Sequence, residues 1–280
     1  MTSSNFSPRP SRRVRFPGGS GFELAGIIDS GTRADGDPLL SHATTVVFSH
    51  CFTCNKDLKA IVRISRALAA SGVTVLRFDM TGLGGSEGDF SQTNFTTNVA
   101  DLRAAIRFAA AELGPVTGLV GHSFGGAASL AVGGDPQDAG RSLKAIATIA
   151  APADTQHLAD LLVWMNPQIH LVGSGEVEIG GRRWTIRQDM INDFRHHRLG
   201  DLIAKIAVPL TILHSSTDET VSFDQALRIY QLASLRPAGI SPPAVSLLAL
   251  DGADHLLANR PSDLAYTAEI LSAFFRRHAS

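Results

Sequence analysis

Residues 116–127 read VTGLVGHSFGGA. An apolar, β-branched run enters a Gly-x-Ser-x-Gly turn, and a run of small residues leaves it. A bare Gly-x-Ser-x-Gly arises often by chance; a strand before it and a helix after it make it specific. The physical reason lies in the turn. A chain that passes so abruptly from strand to helix holds Ser123 in a strained backbone conformation and exposes its hydroxyl at the edge of a sheet. Gly121 and Gly125, two residues before and after, keep the neighbouring backbone from clashing. The helix that follows offers free N–H groups and a partial positive charge beside the hydroxyl, where a developing oxyanion would sit.

The rest of the chain alternates in the same way. RRVRF and FELAGIIDS flank a PGGSG turn signal and predict a hairpin. GTRADGDPLLSH reads as a loop. Short apolar runs at 44–49, 73–78, 116–120, 144–150, 209–216 and 244–250 read as buried strands. Between them lie segments of helical spacing, such as KDLKAIVRISRALAASG, which stops at Gly72. This alternation predicts an α/β fold with a doubly wound, mostly parallel sheet. A flexible tail is expected over residues 1–12, then a single domain over 13–280.

Residues 152–206 break the pattern. They hold an apolar helical piece, TQHLADLLVWMN, then GEVEIGGRRWTIR, two β-patterned runs around Gly180-Gly181, then QDMINDFRHH. A long insertion within one domain is usually functional. It is expected to sit over the strand ends as a helix-plus-hairpin lid, with Trp164 and Met165 lining a substrate pocket and Trp184 and Ile186 on one face of the hairpin.

Composition excludes several classes. Formal net charge is −1, which gives no electrostatic case for nucleic acid or an anionic membrane. No apolar run reaches the roughly 18–20 residues that span a bilayer. With only two cysteines, no disulfide framework is expected, and a reducing cytoplasm is the simplest compartment.

Serine is a weak nucleophile unless a base takes its proton, and the base needs an orienting partner. Asp218, in LTILHSSTDETV, and His255, in LLALDGADHLL, each lie just beyond a predicted strand, at the end where parallel sheets carry their sites. Glu219 is the rival acid. Asp251 and Asp254 fit turn or supporting roles better. Of the other histidines, His122 is the variable position of the turn, His214 ends a strand and reads as a core residue, and His157 and His170 fall in the insertion. The Gly-rich FDMTGLGGSEG lacks the lysine and spacing of a phosphate loop and reads as structural.

With GHSFGG, TDETV, DGADH and RFDMTGLGGSEG in place, the sequence resembles the α/β-hydrolase superfamily over essentially residues 13–278. More narrowly, HCFTCNKDLKAIVRISRALA, IATIAAPAD and LDGADHLL look like the hydrolase half of proteins that fuse such a domain to an OsmC-like one. No OsmC-like half is present in this sequence, so its peroxide role is not carried over. The resemblance puts SHCFTCNKD in the place of the family's HGF oxyanion loop. It implies that the backbone N–H groups of Phe52 and Phe124 form the oxyanion hole. The sulfurs of Cys51 and Cys54 are then incidental to the chemistry. Redox modulation of the loop stays open, because a C-x-x-C pair near a helix start is also the thioredoxin-type arrangement. A zinc site needs a second ligand pair, and no metal is expected.

These readings imply an esterase. Ser123, Asp218 and His255 act on a small-molecule ester without a cofactor, with a preference for short-to-medium acyl chains. Acyl transfer, or hydrolysis of amides or thioesters, would use the same three residues. A non-catalytic binding module is disfavoured, because all three positions hold competent side chains.

Overall fold

Residues 11–32, 44–135, 137, 140–235 and 242–279 are described by the computed structural model. The expected tail therefore lies outside the described residues except for Ser11 and Arg12, and Arg12 already opens the first strand. Most of the expected loop over 31–42 is outside them too.

Eight strands form one sheet. β1 (Arg12–Pro17) and β2 (Glu23–Asp29) make the predicted antiparallel hairpin. β2 pairs antiparallel with β4 (Thr74–Phe78). From there the ladder is parallel, through β3 (Thr45–Ser49), β5 (Val116–His122), β6 (Ala145–Ile149), β9 (Leu210–His214) and β10 (Val245–Ala249). The order is β1-β2-β4-β3-β5-β6-β9-β10. The winding direction therefore reverses at β3, between β4 and β5. In such sheets a crevice opens at the carboxyl ends of the strands where the order reverses.

The sheet has a core on each face. Successive residues of a strand point to opposite sides. Leu76 and Phe78, Leu119, Ile146 and Ile212 face one core; Val75, Val120, Ala145, Ala147 and Leu213 face the other. α1 (Lys59–Ala70) and α9 (Pro261–His278) cover the second face. α1 does so through Ile61, Ile64 and Leu68, spaced by three and four. α2 (Phe95–Leu113), α3 (Phe124–Gly134) and α8 (Phe223–Ser234) cover the first face. α2 starts at a reciprocal cap between Asn94 and Thr97. α3 is buried along its whole length, which its Gly and Ala content permits. Burying a side chain as large as Phe275 stabilises the fold by roughly 1.5–3 kcal/mol.

One charged network is buried beside the sheet. Arg77 on β4 donates to Asp29 on β2 (2.8 Å) and to Asp57 (2.9 Å). The Lys56 ammonium donates to buried Asp79 (2.9 Å), which also accepts from the Lys56 and Gly85 N–H groups. The network fastens residues 56–57 to the ends of β2 and β4. Removing one partner of such a buried pair costs about 3–5 kcal/mol.

Residues 152–206 join β6 to β9. They form α4 (Gln156–Met165), α5 (Gln168–Val172), β7 (Ser174–Ile179), β8 (Arg182–Arg187), α6 (Gln188–His196) and α7 (Leu199–Ile203). β7 and β8 are a separate antiparallel hairpin. Its turn residues Gly180 and Gly181 both have positive φ, 62° and 73°, as a type I′ turn demands. α5 and α7 are absent from the sequence reading. Each has five residues, too few for a helical period to show.

Candidate active site

Ser123 sits between β5 and α3 with φ 52° and ψ −119°. Non-glycine residues rarely adopt this conformation, and here both sides hold it. The Ser123 N–H donates to the Ile149 carbonyl of β6 (2.8 Å), and its own carbonyl accepts the N–H groups of Gly126 and Ala127. The two glycines of the motif are required by close approach. A Cβ on Gly121 would lie 2.3 Å from the Gly125 oxygen, and one on Gly125 would lie 2.4 Å from the Ser49 and His50 oxygens. The turn is thus wedged against the end of β3.

His255 and Asp218 lie on the loops after β10 and β9. The Oγ of Ser123 is 3.0 Å from His255 Nε2, and His255 Nδ1 is 2.8 Å from Asp218 Oδ2. The structure brings these three predicted side chains into one hydrogen-bonded line. Asp218 also accepts from the N–H groups of Thr220 (2.8 Å) and Val221 (2.9 Å). Burial pushes its carboxyl up, but the bonds and charge of His255 and these N–H groups outweigh burial and hold it below the usual carboxylate range. Glu219 is exposed. Asp254 caps the turn after His255 by accepting from Ala258 and Asn259, and Asp251 accepts from Ser216.

Three buried histidines, none of them assigned a part from sequence, brace the loops of this site. His122 Nε2 lies 2.8 Å from the carbonyl of His255. His214 Nε2 lies 2.8 Å from the carbonyl of Val221, closing the loop that holds Asp218. His50 Nδ1 lies 2.8 Å from the carbonyl of Cys51, while its Nε2 accepts from the Met80 N–H (3.1 Å). A carbonyl only accepts, so in each ring the nitrogen that faces the carbonyl carries the proton. Burial lowers the pKa of all three, that of His122 to about 3. Each therefore acts as a neutral donor. Sequence offered little signal for them, because a histidine at a strand end reads equally well as core.

Phe52 and Phe124 both line the cavity in front of Ser123. Phe124 is the first residue of α3, where N–H groups have no partner within the helix. Among the described residues, no protein acceptor takes the Phe52 N–H. The two rings meet edge to face at 5.5 Å, and Phe90, Phe95 and Phe194 pack around them. Phe52 and Phe124 thus give the cavity an apolar floor, backed by the other rings, and a hydrogen bond made in such surroundings is stronger than one in water.

The cavity measures about 760 Å³. Leu158, Leu161, Leu162 and Met165 of α4 form one wall, and Ile179 and Trp184 of the hairpin add to it. Trp164 is absent from that lining and is 79% exposed, contrary to the sequence expectation. Helical geometry explains the difference. Positions 158, 161, 162 and 165 share one face, and 164 falls about 100° away from 165. Ile186 is buried in the core, whereas Trp184 reaches the cavity and packs on Phe90 (4.7 Å).

Cys51 and Cys54 are joined as a disulfide. α1 begins only at Lys59, so neither sulfur lies in the first turn of a helix, and the thioredoxin-type arrangement is not present.

An eight-stranded, mostly parallel sheet with a serine at a strained strand-to-helix turn and a histidine within hydrogen-bonding reach defines a hydrolase class. Comparison with known proteins agrees. The Alpha/beta hydrolase family matches residues 42–267, and the chain belongs to that family. No curated protein sequence matches the chain. Among solved structures, the esterase domain of a Rhodothermus marinus protein is 36% identical, with 97% of this chain and 100% of that one covered and a TM-score of 0.71. Est1E from Butyrivibrio proteoclasticus, solved with ferulic acid bound, is 20% identical over 94% of this chain and 98% of its own, with a TM-score of 0.71. Mouse alpha/beta hydrolase domain-containing protein 10 is 19% identical over 95% and 99%, with a TM-score of 0.68. The last two likenesses show the fold alone. The chain is thus an enzyme of the hydrolase class, with esterases among the structures it resembles. No helix among the described residues is long and apolar enough to cross a membrane.

Proposed function

We propose that this hydrolase cleaves small carboxylic esters through an acyl-enzyme on Ser123. The reading is supported above all by the hydrogen-bonded line from Ser123 through His255 to Asp218 at the floor of an apolar cavity. His255 Nε2 accepts the serine proton as Oγ attacks the carbonyl carbon. Asp218 accepts from Nδ1 throughout, holds the ring and stabilises its charged form. The tetrahedral oxyanion takes hydrogen bonds from the Phe52 and Phe124 N–H groups; losing one such donor costs roughly 3–4 kcal/mol in known cases. His255 then returns the proton to the leaving alcohol. Water enters, gives its proton to His255, and releases the acid.

Residues 152–206 act as a lid in this reading, with α4 and the hairpin forming the acyl wall. Short-to-medium acyl groups fit a wall of that kind. The test is a turnover profile over p-nitrophenyl esters of increasing acyl length. A peak at short-to-medium chains, abolished by Ser123→Ala, supports the proposal. Undiminished turnover in Ser123→Ala overturns it.

A further inference from the structure

The C-x-x-C pair is a motif that the ester chemistry leaves unused. The disulfide closes the four-residue turn Cys51-Phe52-Thr53-Cys54, in which the Cys54 N–H also donates to the Cys51 carbonyl (3.2 Å). Phe52, the oxyanion donor of the proposed mechanism, lies inside that ring. So does Thr53, at φ 59°. A β-branched residue in the left-handed region is a genuine outlier and persists only where its surroundings over-determine it. The turn is held at both outer ends by other means. His50 donates to the Cys51 carbonyl, and the Lys56 N–H donates to Asp79 (2.6 Å). Between these anchors the disulfide is the one covalent restraint on Phe52 and Thr53. Cys51 is buried, Cys54 is partly exposed, and both line the cavity. A small thiol that enters by the substrate's route therefore meets the Cys54 sulfur.

We propose that Cys51–Cys54 is a thiol–disulfide exchange site in the wall of the ester cavity, whose oxidation state sets the position of the Phe52 N–H. The inference rests on the oxyanion role given to Phe52 above. It takes up the redox modulation of this loop that the sequence reading left open, against the reading in which the sulfurs are incidental. The closed bridge and the left-handed Thr53 change that reading. The reductant is a small dithiol. One of its thiolates attacks Cys54 Sγ, the Cys51–Cys54 bond breaks, and Cys51 leaves as a thiolate. The second thiolate of the reductant then attacks its own sulfur in the mixed disulfide and displaces Cys54. Two electrons pass to the protein, the dithiol becomes a cyclic disulfide, and its two protons end on the cysteines. Thr53 is then free to return to ordinary φ, and the Phe52 peptide turns with it. Because the outer anchors remain, the change stays within the turn.

The chain has two cysteines, so a reductant acts at this site alone. The experiment measures p-nitrophenyl acetate turnover before and after dithiothreitol, with free thiols counted by a chromogenic reagent and the fold followed by circular dichroism. The expected result is a rise from zero to two thiols per chain, a fall in kcat of at least about tenfold with little change in KM, and recovery on reoxidation. Removing a whole oxyanion donor costs about 10²–10³ in kcat, which bounds the effect. Cys51→Ala/Cys54→Ala should be folded, constitutively slow and indifferent to dithiothreitol. Unchanged kcat in a wild type with two free thiols overturns the proposal, as does a fully active double variant. Ser123→Ala separates this outcome from the mechanism itself: if it keeps turning over, the acyl-enzyme reading fails whatever the thiols do.

Discussion

His122 and His255 are linked through the backbone: the Nε2–H of one donates to the carbonyl oxygen of the other across 2.8 Å. Their rings lie 5.3 Å apart. His122 is fixed by β5, the strand that also positions Ser123, so this bond ties the base's loop to the nucleophile's strand. His122→Leu removes the donor and leaves the part-buried His255 carbonyl without it. kcat for a short ester is expected to fall by about 10–100-fold, since a misplacement of about 1 Å costs about 10²-fold. His122→Gln, which reaches the same carbonyl with an amide N–H, should recover most of it. Equal loss in both variants, with the fold intact, would remove the positioning role.

The same residue gives a pH dependence of stability. His122 is held neutral down to about pH 3 in the folded chain, primarily by burial and then by the charge of His255, with its hydrogen bond to the His255 carbonyl and the charge of Asp218 opposing. In the unfolded chain it takes a proton near pH 6.5. Between those values the unfolded state binds more protons, so stability rises with pH and is lost as pH falls from about 6.5 toward 3. The slope from one such group is at most about 1.4 kcal/mol per pH unit. His122→Gln should flatten the urea-unfolding stability measured between pH 7 and 4. An unchanged slope would show that His122 titrates alike in both states.

Some of this was legible from residues and some was not. The strands at 44–49, 73–78 and 144–150 were readable because strands buried on both faces are short apolar runs. Ser123, Asp218 and His255 were readable because each sits just past a strand, where parallel sheets gather side chains. The part of His122 was hidden, because its partner is a backbone carbonyl 133 residues away, and backbone leaves no mark in sequence. The Arg77–Asp29 pair was hidden for a related reason: a charged residue in a strand reads as a solvated face until its buried partner is found. Trp164 was misplaced because composition names apolar residues without fixing the helix's rotation.

Ser123→Ala and His255→Ala should each remove nearly all ester turnover and leave the fold unchanged. The double variant should be no slower than either single one, because residues that act as a unit lose their effect together. Single-turnover rates on p-nitrophenyl acetate measure this. A double variant far slower than both would mean that the 3.0 Å bond between them is not used in turnover.

Asp218→Asn should lower kcat by orders of magnitude, as the equivalent change does by about 10⁴ in a serine protease triad. An amide cannot stabilise the charged imidazole, and it can present the wrong group to Nδ1. Glu219→Gln should change kcat by less than about twofold, since Glu219 is exposed while Asp218 makes the bond to His255. The pair of kcat values decides between the two acids, and a larger loss in Glu219→Gln would reassign the role.

Acyl selectivity should follow the face of α4. Leu158, Leu161, Leu162 and Met165 line the cavity, while Trp164 on the same helix points to solvent. Leu162 is fully buried and carries core packing, so truncating it mixes selectivity with stability. Met165 is half exposed at the end of the helix, so trimming it enlarges the cavity with little loss of core. Met165→Ala should therefore move the optimum toward longer p-nitrophenyl esters and keep activity on the acetate. One methylene in an apolar pocket is worth about 1–3 kcal/mol, so the shift should be graded rather than absolute. Trp164→Ala is the control: it removes a larger side chain from the same helix but none of the cavity wall. Its chain-length profile should match the wild type. If Trp164→Ala moves the optimum and Met165→Ala does not, the acyl group does not lie along the 158–165 face, and the part given to α4 in selectivity is wrong.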